Sequence, residues 1–205
     1  MSDREAVSRL EEEDRLRADL YDFLAALLTS PPTDDLLRKC RDLTGDSTPI
    51  GEAFAALATV ARAHNAVGVE REFNRLLIGL GRGELLPFAS VYMTGFLNEK
   101  PLSALRNDMA QLGVERSPDV FEPEDNIGSL CEIMAGLITG RFGAPLSVHA
   151  QRDFFGRHIG PWAEHFFSDL EGAQSSVFYA PVGAIGRLFM EIEKDAFRLA
   201  GETAA

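Results

Sequence analysis

Apolar positions along this chain recur every three to four residues, and Pro, Gly, Ser and Thr interrupt them at intervals suited to short helices. Leu16, Leu20, Phe23, Leu24, Leu27 and Leu28 repeat at helical spacing until Ser30-Pro31-Pro32 stops the run. Upstream, Ser2 with Glu5 has the form of a capping box. Thr33 is placed to cap a second, short helix with the face Leu36, Leu37, Cys40 and Leu43. Thr48-Pro49 then reads as N-cap and first helical residue of a helix through Phe54, Leu57 and Ala61. Val69, Phe73, Leu76 and Leu77 form the next stripe, which ends at Gly79.

The segment 79–87 carries three glycines and a proline, so it predicts a loop. A short helix is expected over about 90–97, and Pro101 opens another with Leu102, Leu105, Met109 and Leu112 inward and Gly113 as its stop. After a loop, Pro123 leads into a long helix with the face Ile127, Leu130, Cys131, Met134, Leu137 and Ile138. Gly128 and Gly136 in that helix imply close packing against a neighbour. Three helices are expected in the last third, over 147–158, 161–170 and 176–197. Their inward faces carry Phe154, Trp162, Phe166, Phe178, Ile185, Phe189 and Ile192. No convincing period-two alternation appears. The expectation is an all-α chain: a single domain over 1–205, built as an irregular bundle of roughly eight to ten helices, with a loose tail at 201–205.

Composition narrows the function. Hydrophobic residues make up 45% of the chain, enough for a sizeable core, and 14 Phe against 3 Tyr and 1 Trp favour oily packing over base recognition. A net charge of −12 repels phosphate backbones and anionic leaflets, so neither nucleic acid nor a membrane surface is an expected partner. A cationic peptide would be attracted instead, in a salt-dependent way. The acidic start, MSDREAVSRLEEEDR, does not read as a secretory signal, and no apolar stretch suits a membrane span. A cytoplasmic protein without stable membrane insertion is expected.

Chemistry is sparse. Cys40 and Cys131 belong to no metal or redox spacing and fall on apolar helix faces, as reduced core thiols do. His149, His158 and His165 read as surface or capping histidines, because Gly160-Pro161 interrupts the helix between the last two. There is no HExxH or GxSxG, and the glycine loop lacks the lysine and hydroxyl of a phosphate loop. No metal, no cofactor and no catalytic activity are expected. Glu122, Glu124 and Asp125 flank the start of the long helix, where a helix terminus favours negative charge with or without a ligand.

Three segments together are more specific than any one of them. The first is Glu70-Arg71-Glu72-Phe73-Asn74-Arg75-Leu76-Leu77-Ile78-Gly79, followed by Pro87, Ser90 and Tyr92. The second is Glu122-Pro123-Glu124-Asp125-Asn126, followed by Glu132. The third is Gln151-Arg152-Asp153-Phe154-Phe155 with His158, Pro161 and Trp162, then Phe178-Tyr179. In this order they resemble the TorD/DmsD family of redox-enzyme maturation chaperones, over about 20–197.

The resemblance implies a TorD-like helical fold and a role in assembling molybdenum or tungsten oxidoreductases of the dimethyl-sulfoxide-reductase class, formate dehydrogenases among them. It implies a partner, the catalytic subunit with its twin-arginine leader, held until its molybdopterin is loaded. The family's second motif usually ends Asp-His; here Asn126 replaces the histidine, which keeps hydrogen bonding but removes titration near neutrality.

A leader with two guanidinium groups beside an apolar stretch needs carboxylates next to an oily groove. The candidate peptide-binding residues are therefore Glu72, Phe73, Leu76, Leu77, Leu86, Pro87, Ser90, Tyr92, Glu122, Pro123, Glu124, Asp125, Asn126 and Glu132, with Asp125 foremost for direct contact. Two plainer readings stand beside this: Phe73, Leu76 and Leu77 as core, and Glu72 with Arg75 as a surface pair. The alternative function is a generic helical protein–protein adaptor with no twin-arginine client. Monomer and homodimer are equally compatible with the sequence.

Overall fold

The computed structural model describes residues 12–79, 83–117 and 120–202. Among them are ten α-helices, one π turn and no strand. The helices are α1 (Glu12–Leu28), α2 (Asp34–Arg41), α3 (Pro49–Ala63), α4 (Ala66–Phe73), α5 (Ala89–Thr94), α6 (Lys100–Gln111), α7 (Ile127–Thr139), α8 (Val148–His158), α9 (Ala163–Gly172) and α10 (Tyr179–Glu202). The all-helical expectation is borne out. The Ser2/Glu5 capping box and the loop centre at 80–82 lie outside the described residues.

Local chemistry sets most boundaries. The Thr33 side chain accepts the Leu36 N–H at 3.3 Å and Thr48 accepts that of Gly51 at 3.1 Å, each satisfying a donor that a helix start leaves orphaned. Gly79 (φ 68°) ends the π turn at Asn74–Ile78 that continues α4. The helix expected from Pro123 begins later, at Ile127, because Asn126 accepts the Gly128 N–H at 2.8 Å and is itself the cap.

Helix α7 is the central strut. It is buried along most of its length and packs chiefly on α1, while α10 packs on α9 and α3. The two α7 glycines are close-approach positions, as expected. A Cβ on Gly128 would stand 2.7 Å from the Thr29 methyl, and one on Gly136 would run into the Phe142 ring. Trp162, Tyr21, Tyr179, Phe154, Phe166, Phe167 and Phe178 are fully buried. Each such side chain contributes roughly 1.5–3 kcal/mol on burial.

One polar network crosses the core. Arg17 of α1 donates from Nε and Nη2 to the two oxygens of Glu193 on α10, at 2.6 and 2.8 Å, and Glu193 is 0% exposed. Tyr21 Oη donates to the same carboxylate at 2.9 Å, and Gln151 of α8 accepts from Arg17 at 3.0 Å. Burial alone would lower the Arg17 pKa, but its bonds and charge attraction to Glu193 outweigh that and raise it.

Several expectations are corrected. Ile192 (49%), read as inward, is exposed, and so is Leu16 (63%) of the first apolar stripe. His158 is buried rather than on the surface, and its Nε2 lies 2.6 Å from Asp108 Oδ2. Both cysteines are free and buried. Among the described residues no helix is long and apolar enough to cross a membrane, and no group of three or more ligating side chains could hold a metal ion.

Candidate functional site

The first and second sequence segments meet. The Ala89 N–H donates to the Asp125 carbonyl at 2.9 Å, the Ile127 N–H to the Pro87 carbonyl at 2.8 Å, and the Ser90 N–H to Asp125 Oδ2 at 2.8 Å. Phe88 and Asn126 form an isolated antiparallel bridge in the same place. Pro87 fits because its missing N–H is not needed, while its carbonyl is used. Asp125 is 0% exposed, and Asp125 Oδ1 and Ser90 Oγ are buried without a hydrogen-bond partner among the described residues. As the structure stands, Asp125 therefore has no surface with which to contact a peptide. This corrects its role: it is a clasp between two segments.

Beside the clasp, a cleft of about 150 Å³ opens between the loop after α6 and the outer face of α7. Its lining includes Glu122, Glu124, Glu132, Glu115, Arg116 and Phe142. Glu124 is committed: Arg106 donates to it twice, at 3.0 and 2.8 Å, and Arg116 lies 3.8 Å away. Burial pushes the Glu124 carboxyl up, but the Arg106 bonds outweigh this and hold it below its usual range. Glu122 differs. It accepts only a neutral bond, from Asn126 Nδ2 at 3.1 Å, and burial raises its pKa. Neither Glu122 nor the exposed Glu132 has an ion-pair partner among the described residues. A carboxylate held up by desolvation gains when a cation approaches it.

The remaining candidates do not line a groove. Phe73, Leu76 and Leu77 are buried in the core. Glu72 makes no surface pair with Arg75; it is buried and accepts the N–H groups of Val177 and Tyr179 at 2.7 and 2.9 Å. Tyr92 is half-buried, donates to Asp169 at 2.9 Å and stacks near Trp162 and Phe166, joining α5 to α9. Pro87, Ser90 and Asn126 are buried in the clasp; Leu86 and Pro123 are half-buried at its edge. Among the described residues, the first segment forms core and clasp rather than the expected groove.

A profile of the family described as nitrate reductase delta subunit matches residues 44–168, more than half of the chain. The chain belongs to this family. Among its relatives, the chaperone protein TorD of Vibrio cholerae is 27% identical over 130 residues, covering 60% of this chain and 59% of that one. This chain thus spans under two thirds of that relative's length. The Tat proofreading chaperone DmsD of Salmonella paratyphi A is 28% identical over 140 residues, 67% of this chain and 66% of its own. TorD of Vibrio atlanticus is 24% identical over 207 residues, 91% of this chain and 95% of its own. A crystal structure from Archaeoglobus fulgidus, assigned to redox enzyme maturation, shares the fold with a TM-score of 0.56 at 20% identity, over 86% of this chain and 94% of that one. The TorD/DmsD resemblance carried by the three segments is borne out.

The stretch matched by the nitrate reductase delta subunit profile contains both the clasp and the acidic cleft. The Arg17–Glu193 pair lies outside it. So do α1 and α10, which wall a second and larger depression of about 820 Å³ that the sequence reading missed. Its traces in sequence were Leu16 and Ile192, each one apolar residue more than a buried stripe requires.

Proposed function

We propose that this protein is a chaperone for the catalytic subunit of a molybdenum or tungsten oxidoreductase. It binds the subunit's twin-arginine leader, its body or both, and holds it for cofactor insertion and assembly before export. It acts by holding rather than by catalysis, in the cytoplasm, where the unfinished subunit is. The relatives named TorD and DmsD chaperones support the class of function.

The observation that carries the reading at the level of geometry is the acidic cleft. Glu122 and Glu132 border one space, make no salt bridge within 4.0 Å among the described residues, and stand beside a Glu124 already engaged by Arg106. Guanidinium groups of a leader would supply the missing charge through paired, charge-assisted bonds. The long-range field of a −12 chain would steer them there.

Isothermal calorimetry of the full chain with a synthetic twin-arginine leader, and with the full-length precursor of a molybdoenzyme catalytic subunit from the same source, tests the reading. Saturable binding of either, weakened at least tenfold in leader affinity when both leader arginines become lysines, is expected. No heat with leader or precursor overturns it.

A further inference from the structure

The depression of about 820 Å³ lies between the first turns of α1, the link to α3 at Leu43, the start of α3 and the middle turns of α10. Leu16, Leu20, Phe23, Phe54, Phe189 and Ile192 form its floor and walls. Leu16 and Ile192 are exposed and lie in one apolar lining with Leu20, Phe23, Phe54 and Phe189, the kind of contiguous patch that marks an interaction site. Its rim is acidic. Glu12, Glu13 and Asp19 stand along α1, and Arg17, the cation in the lining among the described residues, is already held by Glu193 and Asp14.

Two features determine what fits. Apart from Leu43 in the link between α2 and α3, the walls are helices, and the lining is mostly carbon, so no sheet edge is offered. An extended peptide laid here would bury its own N–H and C=O groups unpaired; a helix satisfies them internally. The α1 wall runs from Glu12 to Phe23, about 16 Å at 1.5 Å per residue, or three helical turns. We infer that this groove docks an amphipathic helix of about three turns from a partner protein, apolar on one face and basic along its flanks. A second copy of this strongly acidic chain is the wrong sign for such a rim.

The inference rests on reading the protein as a holder of client segments, and it adds a second contact separate from the acidic cleft. The two sites share no lining residue, so a client could present cations to one and an oily helix to the other.

The test uses a fluorescein-labelled 14-residue peptide of leucine and lysine, leucines at helical spacing, and a scrambled peptide of the same composition. Fluorescence anisotropy with the full chain should show the patterned peptide binding at least tenfold more tightly than the scrambled one. Leu16→Asp and Ile192→Asp, both at exposed positions that leave the fold intact by circular dichroism, should each remove most of that difference. Glu122→Gln with Glu132→Gln should not.

A photoreactive benzophenone side chain in place of Ile192 should cross-link to the peptide. Cross-linking instead to a second copy, or to the chain's own first residues, overturns the inference, as does equal binding of the two peptides. Failure here is distinct from failure of the chaperone reading. Binding of precursor that is indifferent to Leu16→Asp and Ile192→Asp, with no preference for the patterned peptide, sinks the groove alone. Groove binding of the peptide without any binding of leader or precursor sinks the chaperone reading alone.

Discussion

The backbone N–H of Ser90 donates to the Asp125 carboxylate at 2.8 Å, and the two residues lie 35 positions apart in the chain. This bond, with the two backbone bonds flanking it, fixes the start of α5 against the approach to α7. Asp125→Ala should therefore act on stability, costing about 1–3 kcal/mol for an unsatisfied buried donor. Asp125→Asn, which keeps an acceptor, should cost less. Urea unfolding measures both. Leader affinity per folded molecule should stay within about twofold of wild type; an Asp125→Ala protein of normal stability that no longer bound leader would show that Asp125 becomes exposed to the peptide.

Removing one partner of the Arg17–Glu193 pair strands a charge in the core. Glu193→Ala or Arg17→Met should lower stability by about 3–5 kcal/mol, whereas the double replacement Arg17→Met with Glu193→Met should recover much of it. A double-mutant cycle by chemical denaturation measures the coupling. Single variants as stable as wild type would mean that water reaches the pair.

Binding at the acidic cleft should depend on pH in a definite direction. Burial raises the Glu122 pKa, so its carboxylate protonates sooner than an ordinary glutamate as pH falls. Leader affinity should therefore weaken on acidification toward that raised value, and this weakening should shrink in Glu122→Gln. The sign for stability is opposite. A raised acid pKa favours the folded state below the unfolded value and loses that contribution as pH rises through the folded one. Glu122→Gln should thus be neutral or stabilising near pH 7 while weakening the leader at least threefold. Calorimetry and thermal melts between pH 5 and 8, run on the same samples, separate the two effects.

His158 should titrate below the usual histidine range. Burial disfavours its charged form, the Asp108 bond opposes this, Arg157 adds to it, and the balance is a lowered pKa. The histidine then contributes stability above the unfolded value of about 6.5 and loses it as pH falls through the folded value. Proton NMR titration of the His158 ring and urea unfolding at pH 5 and 7 check both halves. A ring that titrates above 6.5 would show that Asp108 dominates.

Neither thiol should act as a nucleophile in the native protein. Burial pushes Cys40 up to about 11 and Cys131 higher still. A thiol-reactive chromophore should modify Cys40 slowly and Cys131 only on unfolding; fast labelling of Cys131 would place it near solvent.

The helices were legible because helix signals are local. Thr33, Thr48 and Ser147 announce starts that need only the next few residues, and Gly79 and Gly113 mark ends by a positive φ. The site was legible only in part. The segment 122–126 was picked out, but spacing along the chain could not say that Asp125 would face Ser90 while Glu122 stayed in the cleft. Phe73, Leu76 and Leu77 have the same spacing whether they line a groove or a core, and long-range packing put them in the core. Glu72 looked like one half of an i,i+3 pair, yet its partners are backbone groups more than a hundred residues away. The large groove escaped because its walls come from α1, α3 and α10, and no single window contains them.

The bond from Arg17 to Glu193 also orders events during synthesis. A ribosome releases α1 long before α10, so Arg17 remains without its carboxylate until the 176 residues that separate the pair have been made. Until then the charge network of α1 stays open, and α10 is the piece that locks it shut.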